Sequence, residues 1–72
     1  MNEESIKAII ARIIKNADEA VKESREDRED NFKSGRSLAY YEILDILRTE
    51  IDAAGGNLEE YGVDMNLEEK YI

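Results

Sequence analysis

The sequence predicts an all-α fold, an antiparallel two-helix hairpin with a short helical C-terminal segment, assembled as a homo-oligomeric helical bundle. Two stretches place apolar residues at helical spacing on one side of a cylinder, which is typical of helices that bury one face. Ten residues without an apolar side chain separate these stretches. The composition agrees, because 39% of the 72 residues are charged and none is proline. Residues 1–72 are therefore predicted to form a single helical domain.

The first helix is predicted from about residue 3 to residue 24. Glu3 and Glu4 lie in its first turn, where negative charge complements the helix dipole. Its apolar side chains cover an arc of roughly 140°. They are Ile6, Ile9, Ile10, Ile13, Ile14, Ala17, Ala20 and Val21. We expect this stripe to pack against the second helix.

The polar run at residues 22–31 predicts the connection between the helices. Continuing the first helix would place charged residues on its apolar stripe, so we place the connection around residues 24–30. Asp27 or Asp30 would then cap the next helix. The alternative is a solvent-exposed helical stem that continues through this run, and helix propensity permits both.

The second helix is predicted from about residue 30 to residue 54, where consecutive glycines end it. Its apolar residues cover nearly half of the cylinder, which is more than one partner helix can bury. We expect the C-terminal segment, a second subunit, or both to cover the remainder. Gly35 and Ala39 are small residues four apart, and we expect them to accommodate a neighbour within the fold.

The C-terminal segment contains two short units that each begin with asparagine. Asn57 and Asn66 are each followed three residues later by glutamate, a pattern close to a capping box. The sequence therefore predicts short helical turns at about 57–61 and 66–71.

Arg36 is the one charged residue in the middle of the apolar side of the second helix, where an unpaired charge is costly. One interpretation is an ion pair with a carboxylate of the first helix, such as Asp18 or Glu19, or with an acid of the C-terminal segment. Another is that its guanidinium extends to water. The third is recognition of a small anionic, nucleotide-like ligand together with Lys33 and Tyr40.

The opposite face of the second helix offers a candidate interface with another protein. Tyrosine and arginine are common anchors of such interfaces, and carboxylates can complement a basic partner. The candidate interface residues are Leu38, Tyr41, Asp45, Arg48 and Asp52.

The net charge of −8 is concentrated in the second half of the chain. Residues 1–36 carry nine acidic and eight basic side chains, whereas residues 37–72 carry nine acidic and two basic side chains. Phosphate binding requires clustered lysine and arginine, so direct nucleic-acid binding is not expected. One interpretation is that this charge serves solubility alone, and the other is that it attracts a basic protein surface as the partner.

Enzymatic activity is not expected, since the sequence has no histidine, no cysteine and no glycine-rich phosphate loop. We accordingly predict no catalytic residue, no metal site and no cofactor. Apolar runs are too short to cross a membrane. The first residues lack the basic and apolar regions of a signal peptide, so a cytoplasmic location is expected.

Part of the sequence resembles small uncharacterised acidic α-helical proteins of bacterial phages and mobile elements. The resemblance covers residues 32–68. It is carried by Phe32-x-x-Gly35-Arg36-x-Leu38-Ala39-Tyr40-Tyr41-Glu42-Ile43-Leu44-Asp45, then Tyr61-Gly62-Val63-Asp64 and Leu67-Glu68. It implies no established activity and transfers no functional residue, but it implies action by binding host machinery.

These observations favour a non-enzymatic acidic interaction protein, such as an inhibitor or adaptor that binds a host protein. One alternative is an oligomeric binder that sequesters a small anionic nucleotide-like ligand. Another is a structural accessory subunit.

Overall fold

The computed structural model describes residues 1–72 and confirms the all-α fold, with two long helices packed against each other and a short third helix. The helices are α1 (Glu3–Glu26), α2 (Asn31–Ala53) and α3 (Leu67–Tyr71). α1 and α2 are antiparallel, because Glu23 contacts Arg36 near their connection and Ile6 lies beside Ala54 at the opposite end.

Side-chain caps define the start of both long helices. The side chain of Asn2 accepts a hydrogen bond from the Ser5 amide at 2.8 Å at the start of α1. At the start of α2, Asp30 accepts one from the Lys33 amide at 3.1 Å. The connection is a turn over residues 27–30, so α1 extends two residues beyond the predicted end and no helical stem joins the helices.

The segment between α2 and α3 contains hydrogen-bonded turns and no helix at residues 57–61. Gly55 and Gly62 have positive φ angles of 77° and 74°, which interrupt helical geometry on both sides. Asn57 nevertheless accepts a hydrogen bond from the Glu59 amide at 2.9 Å. The second predicted unit forms α3, whose first turn is capped by the Asn66 side chain.

The core is small, since only nine of the 72 residues are buried. Its main cluster combines Ala17 and Val21 of α1, Leu44 of α2, and Leu67 and Tyr71 of α3. The C-terminal segment therefore covers one side of the hairpin and completes the core there.

The other side of α2 keeps apolar residues in solvent. Phe32 is 78% exposed, Ile46 is 61% exposed and Ile43 is 41% exposed. The expectation for Gly35 was wrong, because a side chain built there would meet no atom within 4 Å. Gly35 therefore accommodates no neighbour within the chain. The apolar arc of α2 is covered on one side only.

The molecule is more elongated than a typical domain of its length. Its radius of gyration is 12.8 Å, whereas about 11 Å is typical of a compact domain of this size. The hairpin determines this shape, because the 39 Å long axis is close to the length of a 24-residue helix, about 36 Å.

Candidate functional site

A polar recess on α2 brings together three of the predicted interface residues. It has a volume of about 360 Å³ and is lined by Asp45, Arg48, Thr49, Asp52 and Leu58. The spacing of three and then four residues along the helix places the first carboxylate, the guanidinium and the second carboxylate on one face. The two carboxylates are seven residues apart, or roughly 10.5 Å along the axis. Both are exposed.

Arg48 and Tyr41 do not project freely into solvent, in contrast to the expected contact patch. Arg48 Nη1 donates a hydrogen bond to the carbonyl of Met65 at 3.4 Å. The Tyr41 hydroxyl donates to Glu68 Oε1 at 3.1 Å, while the ring packs against the core. This hydrogen bond is the main reason that the pKa of Tyr41 is raised above its ordinary value. Both side chains thus hold the C-terminal segment on α2.

Leu38 is outside the lining of the recess but on the same face of α2, and it remains 49% exposed. It lies two turns before Asp45 on the outer side of α2, and Glu42 is exposed between them. An exposed apolar side chain next to carboxylates can contact the aliphatic part of a lysine or arginine. We call the surface formed by Leu38, Glu42, Asp45 and Asp52 the acidic face.

α3 is attached to α1 by contacts that sequence analysis did not identify. The Tyr71 hydroxyl donates to Asp18 Oδ1 at 2.6 Å, and Lys70 Nζ lies 3.3 Å from the same carboxylate oxygen. Arg25 Nη2 donates to the Lys70 carbonyl at 2.8 Å. Burial, and then the hydrogen bond to Asp18, raise the pKa of Tyr71 well above its ordinary value. The partners are about 50 residues apart in sequence, so no local pattern indicates them.

The candidate anion-binding residues lie together, but Lys33 and Arg36 each already form an ion pair with a carboxylate of the chain. Arg36 Nη1 is 2.9 Å from Glu23 Oε2, and its guanidinium lies 5.4 Å from the centre of the Tyr40 ring. Lys33 Nζ is 3.4 Å from Asp27 Oδ2. The partner of Arg36 is therefore on α1 as one interpretation expected, but it is Glu23.

The second half of the chain presents uncompensated negative charge. All nine of its acidic residues are exposed. They are Glu42, Asp45, Glu50, Asp52, Glu59, Glu60, Asp64, Glu68 and Glu69. Its two basic residues, Arg48 and Lys70, are engaged by the Met65 carbonyl and by Asp18. The acidic face therefore carries a field that attracts cations.

No protein-family model matches the chain, and neither the curated proteins nor the solved structures include a significant match. None of the three helices is both long enough and apolar enough to cross a membrane. No group of acidic side chains is arranged to hold a metal ion. The geometry of the acidic face is thus the basis for a functional proposal.

Proposed function

We propose that this protein is a non-enzymatic binding module whose acidic face docks on a basic surface of another protein. The observation that carries this proposal is the recess in which Asp45 and Asp52 lie on either side of Arg48. The neighbouring acidic residues make no ion pair, so their charge is available to a partner.

The recess suits a lysine or arginine side chain of the partner. Asp45 or Asp52 would accept its hydrogen bonds, as carboxylates do in charge-assisted pairs. Arg48 bonds the Met65 carbonyl and lies between the two carboxylates. Its positive charge would repel an incoming cation, which would therefore bind either Asp45 or Asp52 and not the space between them. Leu38 would add an apolar contact at the edge.

An inhibitor or adaptor role is consistent with this chemistry. Carboxylates spaced along a rigid helix can occupy a basic groove in which phosphates otherwise bind. A carboxylate of the chain itself neutralises the charge of Lys33 and of Arg36, so this pair offers no net positive charge to a free small anion, which favours this proposal over sequestration of one.

The test compares two triple variants by affinity capture from a bacterial lysate, followed by calorimetry with the purified captured protein. The first neutralises the acidic face through Glu42→Gln, Asp45→Asn and Asp52→Asn. The control makes the same number of changes at exposed carboxylates that form no ion pair, through Glu19→Gln, Glu26→Gln and Glu29→Gln.

We expect the first variant to bind about tenfold more weakly, because each exposed ion pair contributes about 0.2–1 kcal/mol. The control should bind within about threefold of the natural chain, since it keeps the acidic face. Unchanged binding of the first variant would contradict the proposal. Equal weakening of both variants would show attraction to net charge without a docking face.

A further inference from the structure

α2 has a second surface on the side turned away from the acidic face. Its residues alternate at spacings of four and three, which keeps them in line along one side of a helix as in a coiled-coil seam. They are Phe32, Arg36, Ala39, Ile43, Ile46 and Glu50, and we call this surface the apolar stripe. The chain itself does not cover it, and its large apolar members remain exposed.

We propose that the apolar stripe joins two copies of this chain, with their α2 helices antiparallel about a two-fold axis at Ile43. Arg36 lies seven residues before Ile43 and Glu50 lies seven residues after it, roughly 10.5 Å in each direction. An antiparallel pair therefore brings each Arg36 opposite Glu50 of the partner subunit, twice in the dimer. Arg36 and Glu50 give the stripe a net charge of zero. The net charge of −8 on each chain therefore lies outside the paired surface.

The same arrangement provides a place for Phe32, the most exposed aromatic side chain of α2. Phe32 lies eleven residues before Ile43, and Ala54 lies eleven residues after it. Ala54 lines a mainly apolar hollow of about 360 Å³, together with Ile6, Glu50, Ile51, Gly56 and Tyr61. Each Phe32 would therefore enter the hollow of the other copy. A two-fold axis at Ile43 therefore allows both the ion pair between Arg36 and Glu50 of the partner subunit and the insertion of Phe32 into the hollow.

Three further features support close pairing at this surface. Gly35, at the edge of the stripe, has open space where a side chain would be, which allows another helix to approach. Arg36 bonds Glu23 through one nitrogen and has other N–H donors for a second carboxylate. Ile9 of α1 lies two heptads before Glu23 and so on the same side of α1 as this partner of Arg36. Ile9 is 46% exposed and adds apolar surface next to the stripe.

The first test is sedimentation equilibrium of the full chain over a wide concentration range. We expect a dimer of twice the 8.3 kDa chain mass. Phe32→Ala should raise the dissociation constant at least about tenfold, because each dimer loses two aromatic contacts. Glu50→Lys should also weaken the dimer, since it places two cations opposite each other. The controls are Leu38→Ala and Glu26→Lys, which change exposed residues outside the stripe.

The controls should stay within about twofold of the natural chain, since they leave the paired surface unchanged. A natural chain that remains a monomer at every concentration would overturn the proposal. Equal weakening by Phe32→Ala and Leu38→Ala would overturn it as well, because it would remove the assignment to this side of α2.

The second test reads the position of the axis. The chain contains no cysteine, so Ile43→Cys introduces a single thiol. Under mild oxidation this variant should form a covalent dimer at least about tenfold faster than the matched variant Leu38→Cys, because a bridge requires Cα atoms within about 7 Å. Equal rates would overturn the axis position. This surface is separate from the acidic face, so either proposal can fail without the other.

Discussion

Tyr71 joins the C-terminal segment to α1 through both its ring and its hydroxyl. The residue is 4% exposed, and its ring belongs to the core cluster. The hydroxyl reaches Asp18 at the rim of the core, where Lys70 shares the same carboxylate. A single residue therefore contributes apolar burial and a charge-assisted hydrogen bond, which is why its protonation state affects the stability of the fold.

The raised pKa of Tyr71 predicts a loss of stability in alkaline solution. The unfolded chain releases this proton near pH 10, whereas the folded chain retains it, so the unfolded state binds fewer protons above that pH. The contribution of Tyr71 to the free energy of unfolding should therefore be constant below about pH 9.5 and fall above pH 10, by at most about 1.4 kcal/mol per pH unit.

Urea denaturation between pH 8 and pH 11 tests this expectation, with Tyr71→Phe as the comparison. The variant should lose about 1–2 kcal/mol at neutral pH, because it lacks the hydrogen bond to Asp18. It should also show a shallower decline above pH 10. Parallel declines in the two proteins would contradict the assignment to Tyr71, since the lysines titrate in the same range in both.

At the scale of elements, α3 is short but supplies much of the core. Its five residues include two of the nine that are buried, and it contacts both long helices. A helix of this length is not stable on its own. Its conformation therefore depends on Leu67 and Tyr71 packing against the hairpin, and the hairpin in turn depends on α3 to cover Leu44.

Leu67→Ala should destabilise the protein by about 2–5 kcal/mol, because the side chain is fully buried and its removal leaves a cavity. This is a large share of the roughly 4–11 kcal/mol typical of a chain of this length. The matched control is Ile72→Ala, five residues later and 73% exposed, which should cost less than about 0.5 kcal/mol. Urea denaturation followed by circular dichroism at 222 nm measures both. A small effect of Leu67→Ala would mean that α3 is not coupled to the hairpin.

Local sequence patterns predict some of the helices better than others. The apolar period predicts α1 and α2, and Asp30 is one of the two caps that the polar run indicated. The unit at residues 57–61 has nearly the same local sequence as α3 but forms turns, because glycines with positive φ lie on both sides of it. The glycines are visible in the sequence, but the packing of Leu67 and Tyr71 that stabilises α3 is a tertiary contact that local sequence does not contain.

Only part of the candidate site could be predicted, because a helical pattern carries no information on tertiary contacts. Helical spacing places Asp45, Arg48 and Asp52 on one face, and they do line one recess. The same rule treats Tyr41 and Arg48 as exposed, since it describes one helix without the segment that folds back on it. Their engagement by Glu68 and the Met65 carbonyl depends on that tertiary contact.

At the scale of the whole molecule, the proposed pairing through the apolar stripe would make the stability of this small core depend on association. A folded dimer is favoured by mass action, so its melting temperature should rise with protein concentration. We expect about 3–5 °C for each tenfold increase above the dissociation constant. Phe32→Ala should show this rise only at concentrations at least about tenfold higher, because its dissociation constant is raised by that factor. Scanning calorimetry of both proteins measures this difference, and a constant melting temperature for the natural chain would contradict it.

Arg48 belongs to two structures at once, because it lies in the recess and also bonds the C-terminal segment. Release of that segment would free its guanidinium and change the charge offered to an incoming cation. Thermodynamic linkage makes this relation reciprocal. Suppose that a partner binds the recess more tightly while Arg48 is bonded to Met65. Release of the C-terminal segment would then weaken binding of that partner by some factor, and the bound partner would tighten attachment of the segment by the same factor. The segment that follows α2 would thus respond to occupancy of a recess that it helps to line through Leu58.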